Sequence, residues 1–274
     1  MSTTQATTQI SDVSISMPIA AKIFYDVDLV QALATMQEQQ YRALFMPGFA
    51  DARIASNQDS PLWEDWYLTQ SLKATGTTKT GTPVVVYVHI PHYFSDPKHL
   101  AAAKEQGLHN GAAPFPKKEL EKLLRLEDGQ NVVVLDHATL KNAKYGLITV
   151  EEALNHPQTI PFFSTKERAE TYLDKHQHII GPKIQMGYVN DLAEQPLGRL
   201  LFAGPRSHSC RLSDDDLSTD VRFVGVPFVP PQAAATKNSP LAALAGTATD
   251  AGNGILVLRR DQLTDVQYNL LTRK

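Results

Sequence analysis

The chain has 274 residues, of which 42% are hydrophobic and 20% charged, with 26 Lys and Arg against 29 Asp and Glu for a net charge of −3. A chain of this length buries roughly three quarters of its unfolded surface without disulfide or metal staples, and its apolar content excludes disorder as a description of the whole. Basic residues cluster no more densely than the pairs Lys117-Lys118 and Arg259-Arg260, so the footprint that a phosphate backbone requires is missing and nucleic acid is not an expected partner.

Residues 1–16, rich in Ser, Thr and Gln, read as a flexible tail. Asp28 is a suitable N-cap for a helix marked by Leu29, Leu33, Met36, Tyr41 and Leu44, and Pro47-Gly48 is expected to stop it. Residues 49–82 read as irregular and carry the aromatic cluster Trp63, Trp66 and Tyr67. The first clear strand is 83–90, apolar on both faces as a strand buried on both sides should be. Asp96-Pro97 opens a helix to about Gln106. Lys117 to Leu126 is a second helix, and 131–136 a second buried strand. Thr149 with Glu152, and Ser164 with Glu167, have the spacing of capping boxes. The helix after Ser164 shows Ala169, Tyr172, Leu173 and His176 on one side. Further strands are expected at 183–189, 199–203, 221–226 and 254–258, with a long loop at 229–253 and a C-terminal helix from Asp261.

Strands and helices alternate in the middle and strands follow one another later. The fold class is therefore α/β or α+β, a mixed central β-sheet flanked by helices, with residues 17–274 as a single domain. No stretch approaches the ~20 apolar residues that span a bilayer, so no membrane partner is expected. The one cysteine, Cys210, rules out an intrachain disulfide and points to a cytoplasmic, reducing setting. The polar opening carries no secretory signal.

Most catalytic signatures are missing. The glycine-rich stretches precede strands rather than helices, so neither forms a phosphate loop. The nucleophile elbow and the common zinc spacings do not occur. The peptide Tyr87-Val88-His89-Ile90-Pro91 resembles the opening of the coproporphyrinogen-dehydrogenase type of radical SAM enzyme, but the cysteines that would hold its cluster do not follow. His176-Gln177-His178 lies where an imidazolium complements a helix C-terminus. Asp214-Asp215-Asp216 reads as a solvated run or a helix cap.

One constellation remains. The first buried strand ends in His89-Ile90-Pro91-His92, the second in Asp136-His137, and 199–203 runs on toward Cys210. If these strands are parallel, their C-terminal ends share the sheet edge where open α/β sheets place ligands. His89, His92 and His137 would then hold a divalent transition metal such as zinc, iron or manganese, with Asp136 beside it. His89 and His92 reach one ion only if Pro91 turns the chain. Alternatively Cys210 is a nucleophile, with the nearby His208, or equally His137 or His89 from elsewhere in the fold, as base. The resulting expectation is an enzyme acting on a small-molecule ligand by hydrolysis or group transfer, with catalytic residues among His89, Asp136, His137 and Cys210. The rival is a non-catalytic protein-binding or assembly component that uses the aromatic cluster and the 229–253 loop.

Overall fold

The computed structural model of the chain describes residues 8–13, 21–26, 28–189, 192–208, 211–214, 216–218, 220–228, 248–250 and 256–258. The chain divides into two units, Met1–Pro227 and Phe228–Lys274. In the second unit the described elements are two antiparallel strands, Ala248–Asp250 and Leu256–Leu258. The rest of the 229–253 loop, and the helix expected from Asp261, lie outside the described residues.

The first unit runs through β1 (Gln9–Val13), β2 (Ala21–Asp26), α1 (Leu29–Glu38), β3 (Tyr41–Ala43), α2 (Met46–Ala55), α3 (Pro61–Glu64), β4 (Tyr67–Thr77) and β5 (Pro83–Val88). A 3₁₀ turn at Tyr93–Ser95 leads to α4 (Pro97–Glu105), β6 (Ala113–Pro114), α5 (Lys117–Arg125), β7 (Val132–Asp136) and α6 (His137–Lys141). Then follow β8 (Gly146–Thr149), α7 (Val150–Leu154), α8 (Thr159–Phe163), α9 (Lys166–Ile179), β9 (Lys183–Met186), β10 (Leu197–Ala203), β11 (Leu212–Asp214) and β12 (Val221–Pro227). These strands form one mixed sheet in the order β1-β2-β12-β4-β10-β11-β9-β8, with β5 on β4, β7 on β5, β3 on β12 and β6 on β10. The fold is α+β with a mixed central sheet, as the order of elements implies.

β4 is the hub. Its second half pairs with β5 from Leu72↔Val88 to Thr77↔Pro83, and almost its whole length pairs with β10. Phe223 of β12 joins it in parallel at Leu68. One face of the sheet packs Leu68, Leu72, Val86 and Leu200 against Leu29, Leu33 and Met36 of α1, Leu100 of α4 and Leu120 of α5. The other packs Tyr67, Val85, Tyr87 and Leu201 against Phe49 of α2, Phe162 and Phe163 of α8 and Tyr172 of α9. Each such fully buried side chain contributes about 1.5–3 kcal/mol of apolar transfer.

Local signals place most helix starts. Asp28 accepts from the Gln31 N–H, Asp96 from the Lys98 N–H, and Thr149 with Glu152 forms the expected capping box. The cap of α9 is Thr165, which accepts from Arg168; Ser164 instead ends α8 at φ +74°. Four features depart from the sequence reading. Residues 9–13, read as tail, pair with β2. The helix from Leu29 ends at Glu38 and Tyr41 lies in β3, so Pro47-Gly48 stops no helix and sits instead in the first turn of α2. The stretch read as irregular contains α2, α3 and β4. Most consequentially, β5 and β7 are antiparallel, with Val84 opposite Asp136 and Val88 opposite Val132. The excursion between them holds two nine-residue helices, and it returns the chain to the end of the sheet it left, where the His89 N–H meets the Asn131 carbonyl at 2.7 Å.

Candidate functional site: a tyrosine edge on a buried ion pair

The polar residues of β4 that share a face, Thr69, Ser71, Lys73 and Thr75, are all buried. A polar group taken from water needs a partner, and following those partners locates the site. Thr69 donates to the Leu201 carbonyl at 2.9 Å. Ser71 accepts from the Met46 N–H at 2.7 Å, and its hydroxyl lies 2.8 Å from His89 Nδ1. His89 Nε2 lies 2.8 Å from the Pro161 carbonyl. A carbonyl only accepts, so Nε2 carries the proton, Nδ1 accepts from Ser71, and both ring nitrogens are engaged. Burial lowers the His89 pKa to about 4, so the ring is neutral at pH 7.

Of the other sequence-predicted residues, His92 is near enough to His89 to feel its charge, but Asp136 and His137 do not join them. Asp136 is exposed and caps α6, accepting from the Thr139 N–H at 2.9 Å and its hydroxyl at 3.1 Å. Val84 is its partner across β5, so Asp136 lies five strand positions from His89, about 16 Å. His137 is buried in the first turn of α6. His92 caps the 3₁₀ turn: Nε2 donates to the Gln70 carbonyl at 2.7 Å and Nδ1 accepts from the Phe94 N–H at 3.2 Å. Cys210 lies outside the described residues. Among the described residues no three His, Cys, Asp or Glu side chains are grouped to hold a metal ion. The metal centre expected from His89, His92 and His137 is corrected accordingly: antiparallel pairing separates the strand ends, and His89 and His92 spend both nitrogens on the protein.

The aromatic cluster is also mostly interior. Trp63 and Tyr67 are buried, and Trp66 is half-buried. Trp63 flanks Arg53, itself fully buried, whose guanidinium lies 4.9 Å from the Phe49 ring centre and 5.0 Å from that of Trp63, whereas Trp66 faces Arg222 at 6.0 Å. Arg53 donates to the carbonyls of Leu62 at 2.8 Å and Gly204 at 2.9 Å and to the Tyr172 hydroxyl at 2.8 Å. This is a brace between α2, α3, α9 and the end of β10.

Lys73 leads elsewhere. Its ammonium pairs with Asp214 of β11 at 3.1 Å, their side chains 3% and 7% exposed, and donates to the Tyr188 carbonyl at 3.0 Å. Tyr188 is 61% exposed, and its ring centre lies 5.1 Å from that of Tyr145, which meets His156 at 5.8 Å in an edge-on contact. The preceding residue is held as firmly. The Gly187 N–H donates to the Leu212 carbonyl at 2.8 Å, and its carbonyl accepts from Gln158 Nε2 at 3.2 Å. A Cβ on Gly187 would stand 2.8 Å from the Ser213 Cα, so only glycine fits this close approach. Beneath lies Tyr87, donating to Gln158 Oε1 at 3.3 Å; burial raises its pKa well above the usual value, and the Asp214 charge adds to that.

His156 also lines a groove of about 640 Å³ with Lys144, Thr149, Glu151, Glu152 and Asn155. Burial lowers the His156 pKa, the Lys144 carbonyl raises it and the Lys73 charge lowers it further. The arrangement offers one exposed tyrosine, Tyr188, against the half-buried Tyr145 beside a polar groove, and among the described residues it brings no nucleophile with a base to one point. Of the acidic run, Asp214 is the buried partner of Lys73, and Asp216 accepts from the Ser218 N–H and hydroxyl. Sequence reasoning missed Lys73, Gly187 and Tyr188. The available signal was the lysine inside the alternation of residues 67–75.

Among the described residues no helix is long and apolar enough to cross a membrane. No protein-family model matches the chain, and no curated protein does. A solved structure described as accommodation of massive sequence variation in Nanoarchaeota by the C-type lectin fold matches it at 42% identity and a TM-score of 0.73, over 78% of this chain and 100% of that one. That kinship overturns the expectation of a hydrolase with a metal-assisted site, and it favours the non-catalytic alternative. At this identity, with the solved relative covered from end to end, the chain belongs to the C-type lectin fold family.

Proposed function

We propose that this chain is a non-catalytic binding protein, its fold a scaffold for a contact surface formed by Tyr145, Tyr188 and the groove beside them. The observation that carries the reading is the kinship with a structure described as accommodating massive sequence variation on the same fold. A fold that tolerates such variation suits a rigid core beneath a changeable surface. Tyr188 fits the surface part: tyrosine supplies large contact area at low conformational cost and is enriched among binding hot spots. Trp63 and Tyr67 do not belong to it, because they are buried. The partner we propose is a protein surface or a small molecule with a flat apolar group, met in a reducing, cytoplasmic setting that the single cysteine supports.

The test is an array of peptides and small aromatic compounds probed with the labelled full chain, and again with Tyr188→Ala. At least one saturable ligand should bind the parent and lose tenfold or more in affinity on the substitution. Ligands that bind both equally would remove this surface from the proposal. Turnover of any arrayed ligand would remove the non-catalytic reading.

A further inference from the structure

We propose that the buried Lys73–Asp214 pair is a positioning device for Tyr188, fixing the aromatic edge before any partner arrives; this rests on the reading of Tyr188 as part of a contact surface. Two nearly fully buried charges are a costly way to join β4 to β11, since an apolar pair of similar volume often serves stability as well or better. This pair does something an apolar pair cannot. After meeting Asp214, the Lys73 ammonium has hydrogens to spare, and one goes to the Tyr188 carbonyl. Leu212 and Gln158 hold the neighbouring Gly187 at its N–H and its carbonyl. Two consecutive residues are thus bonded by β4, β11 and the start of α8, while the Tyr188 side chain stays exposed. A ring on an irregular segment would ordinarily lose rotational freedom on binding. Anchoring its backbone in advance lowers that cost, which is how preorganisation raises affinity.

The experiment uses the full chain grown with 3-fluorotyrosine, the Tyr188 fluorine line being assigned from Tyr188→Phe. In the parent the line should be displaced from the free amino-acid position by the neighbouring Tyr145 ring. The double variant Lys73→Met with Asp214→Asn nearly keeps the volume and removes both charges. It should melt close to the parent and keep Gly187 amide protection, while the Tyr188 line sharpens and moves to the free position. An unchanged Tyr188 line in the folded double variant would overturn the proposal, as would a parent line already at the free position. If the double variant does not fold, Lys73→Leu with Asp214→Asn removes the same pair, and a Tyr188 line unmoved in it overturns the proposal. A merely structural pair would change the melting temperature and leave the Tyr188 line in place. No partner is needed for this readout. A failed array with a shifted line would remove the contact surface and keep the positioning, and the converse pair of results would do the reverse.

Discussion

Ser71 and Lys73 stand two residues apart on one face of β4, and their hydrogen bonds run in opposite directions. Ser71 leads inward: Met46, Ser71, His89 and Pro161 form a chain in which every polar atom has its partner inside the protein. Lys73 leads outward: besides pairing with Asp214, it donates directly to the Tyr188 carbonyl, whose own side chain faces solvent. Both regions contain the residue types associated with catalysis. The difference lies in whether the network ends in the core or at a surface. A histidine with both nitrogens engaged specifies packing, whereas an ion pair that spends a hydrogen on an exposed loop specifies the shape of that loop.

The largest expected effect comes from breaking the outward network at one end. Lys73→Met alone leaves the Asp214 carboxylate buried without its cation and should cost about 3–5 kcal/mol, read from urea unfolding. A cost below about 1 kcal/mol would mean that the pair is more solvated than its 3% and 7% exposure indicates. His89→Leu should cost about 2–4 kcal/mol by orphaning the Ser71 hydroxyl and the Pro161 carbonyl, with no change in the Tyr188 fluorine line. A shifted line there would merge the two regions into one network.

The inward network also has a pH signature. His89 has a pKa of about 4 in the folded chain, because burial disfavours the imidazolium, against an ordinary value of 6.5. Above pH 6.5 neither state takes the proton and the stabilisation is whole. Between 6.5 and 4 the unfolded chain binds a proton that the folded chain refuses, so stability falls as pH falls, by about 3 kcal/mol at the lower end. The difference between parent and His89→Leu should therefore shrink on acidification, and parallel stability curves would contradict the assignment. The smallest effect on stability is expected at the surface. Tyr188→Ala should stay within about 0.5 kcal/mol of the parent, while being the variant that most weakens binding on the array.

Much of the architecture is legible in the sequence because its signals are local. Asp28, Asp96 and the Thr149–Glu152 box mark helix starts through bonds formed within one turn. Val84 to Val88 and Val132 to Val134 read as buried strands because both faces are apolar. β4 is not legible in the same way. Residues 67–77 alternate Thr, Ser and Lys with Leu and Ala, a pattern that suggests one wet face. Here that face is covered, and its polar groups are matched one by one to residues as distant as Leu201 and Tyr188. Strand direction is likewise nonlocal. The sequence around His89 and Asp136 is compatible with either orientation, and the two-helix excursion between them decides it. The candidate site fails to show for the same reason: Lys73, Gln158, Gly187 and Asp214 are 141 positions apart from first to last.

The pairing of β2 with β12 has a mechanical consequence. Lys22 lies opposite Gly225 and Asp26 opposite Val221, so the chain enters this pair beside the point where it leaves. Tension applied through residues 22 and 225 would part the hydrogen bonds from one end in succession, as a zip opens, instead of loading them all together as in shear. The sheet would yield first along this seam, at low force, while β4 and its neighbours still held.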